Sequence, residues 1–441
     1  MKEKEFLPLV KDKLGIEELN KMQKRMLETA SEKRDIMLLS PTGSGKTLAF
    51  ILPLLKMLKA PTGRVQAIVL APSRELVIQI TGVFKTVAET FRVTALYGGH
   101  KVEDEVNSLK VTPDIIVATP GRLLDHINRR NVDVLPVRIL VLDEFDKTLE
   151  LGFTDEVKKI IKHLKNVSRN ILTSATATDI LPDFLKFENP IELNFLEGNH
   201  KLRRRLRVNK VTSEGADKLE ALFILLKNIS EPRPEKTIIF VNHRDSAERV
   251  QAFLEKKNAA SVLYHGALDQ RDRETAIAKF NNGSCPILVA TDLAARGLDI
   301  ERVKNVIHYH QALTPEVYTH RNGRTARMDD SGDIYILVGP DEDIKDFSDI
   351  DRELHLDTSI AQDLKSGLVT VAVSGGKKEK ISKGDIVGFL TKECGLDGDS
   401  IGKINVFDHY SLFAIPEENL AEVMEKGKTA RLKGKRYRFG L

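Results

Sequence analysis

The sequence predicts an α/β protein of two tandem units, each a parallel sheet covered by helices, followed by a small βαββαβ domain. Three observations predict it. Short apolar runs alternate with helical stretches over residues 35–195 and again beyond residue 219, the pattern of parallel strands buried on both faces. A glycine-rich loop stands at the head of the first block alone. Over 367–441 the rhythm changes to strand, helix, two strands joined tightly, helix, strand, the order of a split βαβ domain.

The elements follow in order. Strands are expected in the first block at 36–39, 67–70, 115–118, 137–142 and 171–173. Residues 194–218 turn polar and basic, with Lys201, Arg203, Arg204, Arg205 and Arg207. The second block has expected strands at 237–241, 261–264, 287–290, 303–308 and 334–338. These boundaries divide the chain into a first lobe (1–198), a basic linker (199–218), a second lobe (219–345), a linker (346–366) and a tail domain (367–441).

The loop at 40–47 reads SPTGSGKT between a strand-like run and a helix-like run. Gly43 and Gly45 permit backbone angles closed to other residues, so successive N–H groups can turn onto phosphate oxygens. Lys46 reaches the β- and γ-phosphates, the Thr47 hydroxyl can ligate Mg²⁺, and the following helix aims its positive end at the same anion. The usual first glycine of this pattern is Ser40 here. Hydrolysis needs a second, carboxylate site. Asp143 and Glu144 close the apolar run 139–142, where Asp143 would hold Mg²⁺ and Glu144 would orient the attacking water.

Composition narrows the partners. A net charge of +4 supports no global polycation argument, so nucleic-acid binding has to come from local patches. Cys285 and Cys394 lie far apart and away from ligand clusters, which argues against a disulfide framework or a zinc site. The N-terminus is charged without a signal-like apolar core, and the run 48–55 is short and contains Pro53. A cytoplasmic monomer without membrane contact is expected.

The motif Asp143-Glu-Phe-Asp146 resembles the signature of DEAD-box RNA helicases, and further motifs of that family appear in its order. Pro72-Ser-Arg-Glu-Leu76 is similar to motif Ia, Gly98-Gly99 to the paired glycines, Thr119-Pro-Gly-Arg122 to motif Ib and Ser174-Ala-Thr176 to motif III. In the second block Gln270 and Arg273 match the QxxR pair, 290–299 (ATDLAARGLD) matches motif V, and 320–327 (HRNGRTAR) is similar to motif VI. Gln23 stands seventeen positions after Phe6, the family spacing of the adenine-reading glutamine and its aromatic partner.

The resemblance covers residues 6–340 and implies two RecA-like lobes of the P-loop NTPase type, with ATP and Mg²⁺ as ligands and RNA as partner. It implies that Phe6 and Gln23 read adenine and that Thr42, Gly43, Ser44, Gly45, Lys46 and Thr47 hold the phosphates. Gly297 and Asp299 would line the nucleotide, with Asp299 on the ribose. Arg324 and Arg327 would act as arginine fingers from the second lobe, completing a catalytic set with Lys46, Asp143 and Glu144. Asp146, Ser174, Thr176, His320 and Arg321 would couple hydrolysis to RNA. Pro72, Arg74, Gly99, Thr119, Gly121, Arg122, Gln270, Arg273 and Thr291 would lie along the RNA backbone. Departures are Phe145 for the family's alanine, and Asn322 and Ala326 in motif VI.

In the tail, residues 426–438 carry seven Lys and Arg and no acid, with Tyr437 and Phe439 beside them. This stretch fits an edge strand protected by lysines as well as a phosphate-contacting, base-stacking surface at Lys433, Arg436 and Arg438. The tail is similar to the RNA-binding domain of DbpA-type bacterial helicases, an RRM-like fold, through GGKK at 375–378, KGD at 383–385, IGKI at 401–404 and DHYS at 408–411. That resemblance implies 23S ribosomal RNA as target and work on large-subunit assembly intermediates. The leading expectation is an ATP-dependent RNA helicase. An ATP-gated RNA clamp with little unwinding is the second reading, and a DNA translocase the third.

Overall fold

The computed structural model describes residues 3–41, 43–176, 184–185, 187, 189–196, 206–230, 232–292, 300, 303–325 and 331–441, with side chains from residue 8 onward. Phe6 as a side chain, Thr42, Gly297, Asp299, Ala326 and Arg327 lie outside the described residues. The chain divides into two compact units that meet in sequence near residue 203.

In the first unit, β1 (Ile36–Leu39), β2 (Ala67–Leu70), β3 (Val93–Leu96), β4 (Ile115–Ala118), β5 (Ile139–Leu142), β6 (Arg169–Ser174) and β7 (Ile191–Asn194) form one parallel sheet. Its order is β3-β4-β2-β5-β6-β1-β7. Strands β1, β2, β4 and β5 are buried at every position, because helices cover both faces. One apolar layer holds Met26, Phe50 and Phe84, the other Leu123, Phe145 and Ile160. Each such side chain contributes about 1.5–3 kcal/mol by leaving water. The strand expected at 137–142 starts at Ile139, after the polar Arg138. The less apolar β3 and the alternating edge strand β7 escaped the sequence reading.

The second unit repeats the plan. Strands β8 (Leu206–Thr212), β9 (Thr237–Phe240), β10 (Ser261–Tyr264), β11 (Ile287–Ala290), β12 (Asn305–His308), β13 (Gly332–Val338) and β14 (Arg352–Glu353) form a parallel sheet in the order β10-β11-β9-β12-β13-β8-β14. This corrects both expected linkers. Within 199–218, residues 206–212 form β8, paired to β13 on one side and β14 on the other, and within 346–366 residues 352–353 form β14. Polar residues of β8 find partners on β13. Arg207 pairs with Asp333 at 2.8 Å, and the fully buried Asn209 donates to the Ile334 carbonyl at 3.0 Å.

The tail closes the second unit with β15 (Leu368–Val373), β16 (Ile404–Val406), β17 (Ser411–Pro416) and β20 (Phe439–Gly440) in an antiparallel sheet ordered β16-β17-β15-β20. With the helices Lys383–Gly388 and Leu420–Gly427 this is the expected βαββαβ, RRM-like arrangement. A small hairpin, β18 (Arg431–Leu432) and β19 (Lys435–Arg436), turns at Lys433-Gly434, where φ is 51° and 78°. Among the described residues no helix is long and apolar enough to cross a membrane.

Candidate functional site

All strands of the first sheet run parallel, so the loops leaving their C-terminal ends share one edge. Because β5, β6 and β1 are neighbours, the phosphate loop after β1 stands beside Asp143 after β5 and Ser174–Thr176 after β6. Lys46 is 8% exposed, and its ammonium donates to the Ser40 carbonyl at 2.6 Å and the Pro41 carbonyl at 3.1 Å. The Ser40 hydroxyl donates to Ser44 Oγ at 2.7 Å, a bond no glycine there could make. Gly45 has φ 89°, and a Cβ on it would lie 2.7 Å from Gln23 Nε2.

Gln23 is 4% exposed and already engaged. Its Nε2 donates to the Gly45 carbonyl at 3.3 Å and its Oε1 accepts from the Asn20 N–H at 3.0 Å. Asn20 caps the Lys21–Thr29 helix and donates through Nδ2 to the Ser44 carbonyl at 3.0 Å. The glutamine and its cap therefore hold the phosphate loop from outside. Asn20 was not anticipated, because its partner is a backbone carbonyl 24 residues on.

Asp143 is 2% exposed. Burial pushes its carboxyl pKa up, against a hydrogen bond from the Thr173 hydroxyl and the positive charge of Lys46. Thr173 Oγ1 in turn accepts the Glu144 N–H at 3.3 Å, fixing Glu144 in a left-handed conformation at φ 44°. Thr176 Oγ1 donates to Asp146 Oδ2 at 3.2 Å, while Ser174 Oγ accepts the Thr176 N–H at 3.1 Å. Asp146 Oδ1 is buried without a partner among the described residues. Phe145 is fully buried in the apolar layer under the sheet.

The remaining neighbours, β3, β4 and β2, carry a second cluster. Gly99 has φ 104°, and a Cβ on it would lie 2.3 Å from Arg74 Nη1, so only glycine lets that guanidinium cross the turn. Arg122 Nη2 donates to the His100 carbonyl at 3.3 Å. Thr119 precedes the Pro120–Asn128 helix, Gly121 is exposed in its first turn, and Pro72 is buried. Glu105, which the sequence reading missed, ties these pieces together. Its buried carboxylate accepts the Tyr97 N–H at 2.8 Å, lies 2.8 Å from His126 Nε2, and meets Arg122 at 3.3 Å and His100 at 3.0 Å.

In the second unit Arg321 is fully buried and joins three strand ends. Its guanidinium pairs with Asp292 after β11, and donates to Asn242 Oδ1 after β9 at 2.8 Å and the His310 carbonyl after β12 at 2.7 Å. Asn322, one of the departures, lies 2.9 Å through Oδ1 from His308 Nε2. Burial and the nearby Arg321 lower the His308 pKa to about 3, so the ring is neutral and its Nε2–H donates. Arg273 donates to the Gly266 and Leu268 carbonyls at 2.8 and 3.0 Å, shaping the turn after β10. Thr291 follows β11, and His320 and Arg324 are buried at the end of the Pro315–Asn322 helix.

Residues 20–184 match the family described as DEAD/DEAH box helicase, 217–329 the helicase conserved C-terminal domain, and 370–440 the DbpA RNA binding domain. The ATP-dependent RNA helicase DbpA of Escherichia coli (strain K12) is 33% identical, over 98% of this chain and 96% of its own length. The chain belongs to the DEAD-box ATP-dependent RNA helicases. DbpA of Bacillus subtilis (strain 168) is 29% identical over 96% of this chain and 95% of its own. Among solved structures, S. cerevisiae Dbp5 bound to RNA and ADP BeF3 superposes with a TM-score of 0.66 at 26% identity, covering 76% of this chain and 87% of that one. Mss116p bound to ssRNA and AMP-PNP gives 0.71 at 26%, covering 81% and 78%.

In the helicase's tail, Lys433 and Arg436 are exposed on the hairpin, and Lys433 pairs with Asp385 at 3.0 Å. Arg438 is exposed, with its N–H bound to Ser374 Oγ at 2.8 Å. The two aromatics expected as stacking faces serve the tail's interior. Phe439 packs on Phe389 with ring centroids 5.1 Å apart, and Tyr437 covers Gly375. The basic hairpin itself stays open to solvent.

Proposed function

We propose that this helicase couples RNA-stimulated hydrolysis of ATP to local opening of short RNA duplexes in the cytoplasm, acting on 23S ribosomal RNA during large-subunit assembly. The observation that carries the reading is the division of one sheet edge. Loops after β5, β6 and β1 carry nucleotide chemistry, loops after β3, β4 and β2 carry the glycine–arginine cluster, and β2 adjoins β5.

Lys46 rests on neutral carbonyls, which phosphate oxygens outcompete as acceptors for an ammonium. Glu144, held by Thr173, orients the attacking water, and Arg324 and Arg327 answer the charge that develops on the γ-phosphate. The buried Asp143 carboxylate, destabilised by its own desolvation, fits a divalent cation. Among the described residues no group of three or more His, Cys, Asp or Glu is arranged for a metal, so Mg²⁺ at Asp143 would draw its other ligands from Thr47, phosphates and water. When bound, Mg²⁺ supplies charge neutralisation across the β- and γ-phosphates. The Thr176–Asp146 bond ties β6 to β5, so a shift on the RNA side of the edge is felt beside the carboxylates.

The ribosomal target is supported by the match of 370–440 to the DbpA RNA binding domain and by the exposed charges of the 431–436 hairpin. The clamp reading leaned on Phe145 and on the motif VI departures Asn322 and Ala326, of which Ala326 lies outside the described residues. Phe145 lies in the core and Asn322 has its own partner in His308, so neither impedes turnover.

Strand displacement tests the proposal, with a short duplex placed beside a 23S rRNA fragment or beside an unrelated RNA. Faster opening beside the ribosomal fragment is expected, with the preference lost in Lys433→Glu/Arg436→Glu. Equal rates on both substrates would remove the ribosomal assignment, and RNA-stimulated hydrolysis without displacement would return the clamp.

A further inference from the structure

The Gln270–Asn281 helix of the second lobe carries the tail domain at both of its ends. At its C-terminus the cap residue Asn282 donates to Thr370 Oγ1 at 2.9 Å, and Ser284 Oγ lies 2.6 Å from the same hydroxyl. Thr370, Asn282 and Ser284 are 4%, 6% and 6% exposed, and buried polar groups that satisfy one another fix a single docking geometry. At the helix's N-terminal end the tail returns through the turn between β16 and β17. Phe407 and Tyr410 stack there at 4.6 Å and 19°, and the Arg271 guanidinium lies 5.1 Å from the centre of the Tyr410 ring.

That second contact reaches a residue of the RNA-facing set. The Tyr410 hydroxyl donates to Glu274 Oε2 at 2.9 Å, and Gln270 Nε2 donates to Glu274 Oε1 at 3.1 Å. A carboxylate accepts only, so the bond fixes which way the Gln270 amide points. One N–H of its Nε2 is given to Glu274, and its Oε1 is buried without a partner among the described residues. An oxygen acceptor cannot bind a phosphate. The donor that an RNA backbone offers and a DNA backbone lacks is the 2′-hydroxyl.

We propose that Glu274 is a positioning residue through which Tyr410 of the tail orients Gln270 as an acceptor for a ribose 2′-hydroxyl. The docked tail thereby tightens the core's grip on any RNA, apart from its own choice of target. The inference rests on reading Gln270 as an RNA contact.

The test is steady-state ATP hydrolysis of the full-length protein against poly(A) RNA, which lacks ribosomal sequence, with thermal unfolding followed in parallel. Tyr410→Phe keeps the ring stack and removes only the donor. It raises the half-saturating RNA concentration about two- to tenfold, the worth of one neutral hydrogen bond, with kcat at saturating RNA unchanged. In a Gln270→Ala background Tyr410→Phe adds nothing further, and Glu274→Ala alone reproduces its effect. If Gln270→Ala weakens RNA while Tyr410→Phe behaves as wild type with an unchanged melting temperature, the relay is wrong and the RNA contact stands. If Gln270→Ala itself leaves the RNA dependence unchanged, the contact reading falls and the relay falls with it.

Discussion

The two parallel sheets repeat one strand order, β3-β4-β2-β5-β6-β1-β7 against β10-β11-β9-β12-β13-β8-β14, yet the chain leaving β1 and the chain leaving β8 do different things. After β1, Lys46 opens a helix and sits on the carbonyls of Ser40 and Pro41. After β8, Lys218 stands just before the equivalent helix, Leu219–Asn228. Its ammonium donates to both oxygens of Glu342, at 3.0 and 2.7 Å, and to the Leu337 carbonyl at 3.1 Å. It also lies 5.4 Å from the ring centre of Tyr309, which follows β12 as Asp143 follows β5. In the second sheet a carboxylate of the chain itself binds the lysine, whereas in the first the lysine bonds two backbone carbonyls and its charge also acts on Asp143. Topology supplies the lysine's place twice, and the neighbouring groups decide whether an outside anion can use it.

The largest expected contrast between the sheets is catalytic. Lys46→Ala and Glu144→Gln are expected to lower RNA-stimulated kcat by roughly a hundredfold or more, with ATP binding kept in Glu144→Gln. Lys218→Met leaves kcat near wild type. Loss of hydrolysis in Lys218→Met with the fold intact would erase the distinction.

Stability comes next. Arg321→Ala strands Asp292, Asn242 and the His310 carbonyl, and is expected to cost about 3–5 kcal/mol in urea unfolding. Phe145→Ala, although it installs the family's residue, opens a cavity in the first sheet's core and costs a comparable 3–5 kcal/mol, about as much as other buried Phe truncations. A loss below about 1 kcal/mol for Phe145→Ala would mean that the site collapses freely. Because the Glu342 carboxylate is 45% exposed, Glu342→Gln is expected to cost only about 1 kcal/mol.

The smallest effect is one of pH. The folded-state pKa of His308 is lowered from 6.5 to about 3, so the unfolded chain takes up the proton first as pH falls. The contribution of His308 is fully present above pH 6.5 and is lost on acidification toward 3. His308→Asn should flatten the fall in melting temperature between pH 6.5 and 5. An unchanged slope would show that the ring is charged or solvated.

Strands β1, β2, β4 and β11 were legible in the sequence because burial on both faces leaves uninterrupted apolar runs. Strand β8 was not, because Arg207 and Asn209 find their partners more than a hundred residues away in β13. The site divides in the same way. Lys46, Asp143 and Glu144 announce themselves because the chemistry needs those types at strand ends. Asn20, Glu105, Thr173 and Asp292 do not, since each acts by holding another residue and any short polar side chain would read the same in sequence. The departures became legible only with their partners: Ser40 bonds Ser44, and Asn322 bonds His308.

Steady-state ATP hydrolysis without nucleic acid, with RNA and with DNA of the same sequence tests the central claim most directly. The account predicts a low basal rate, strong stimulation by RNA and little by DNA, with all turnover abolished by Glu144→Gln. Equal stimulation by DNA, or normal turnover in Glu144→Gln, would contradict it.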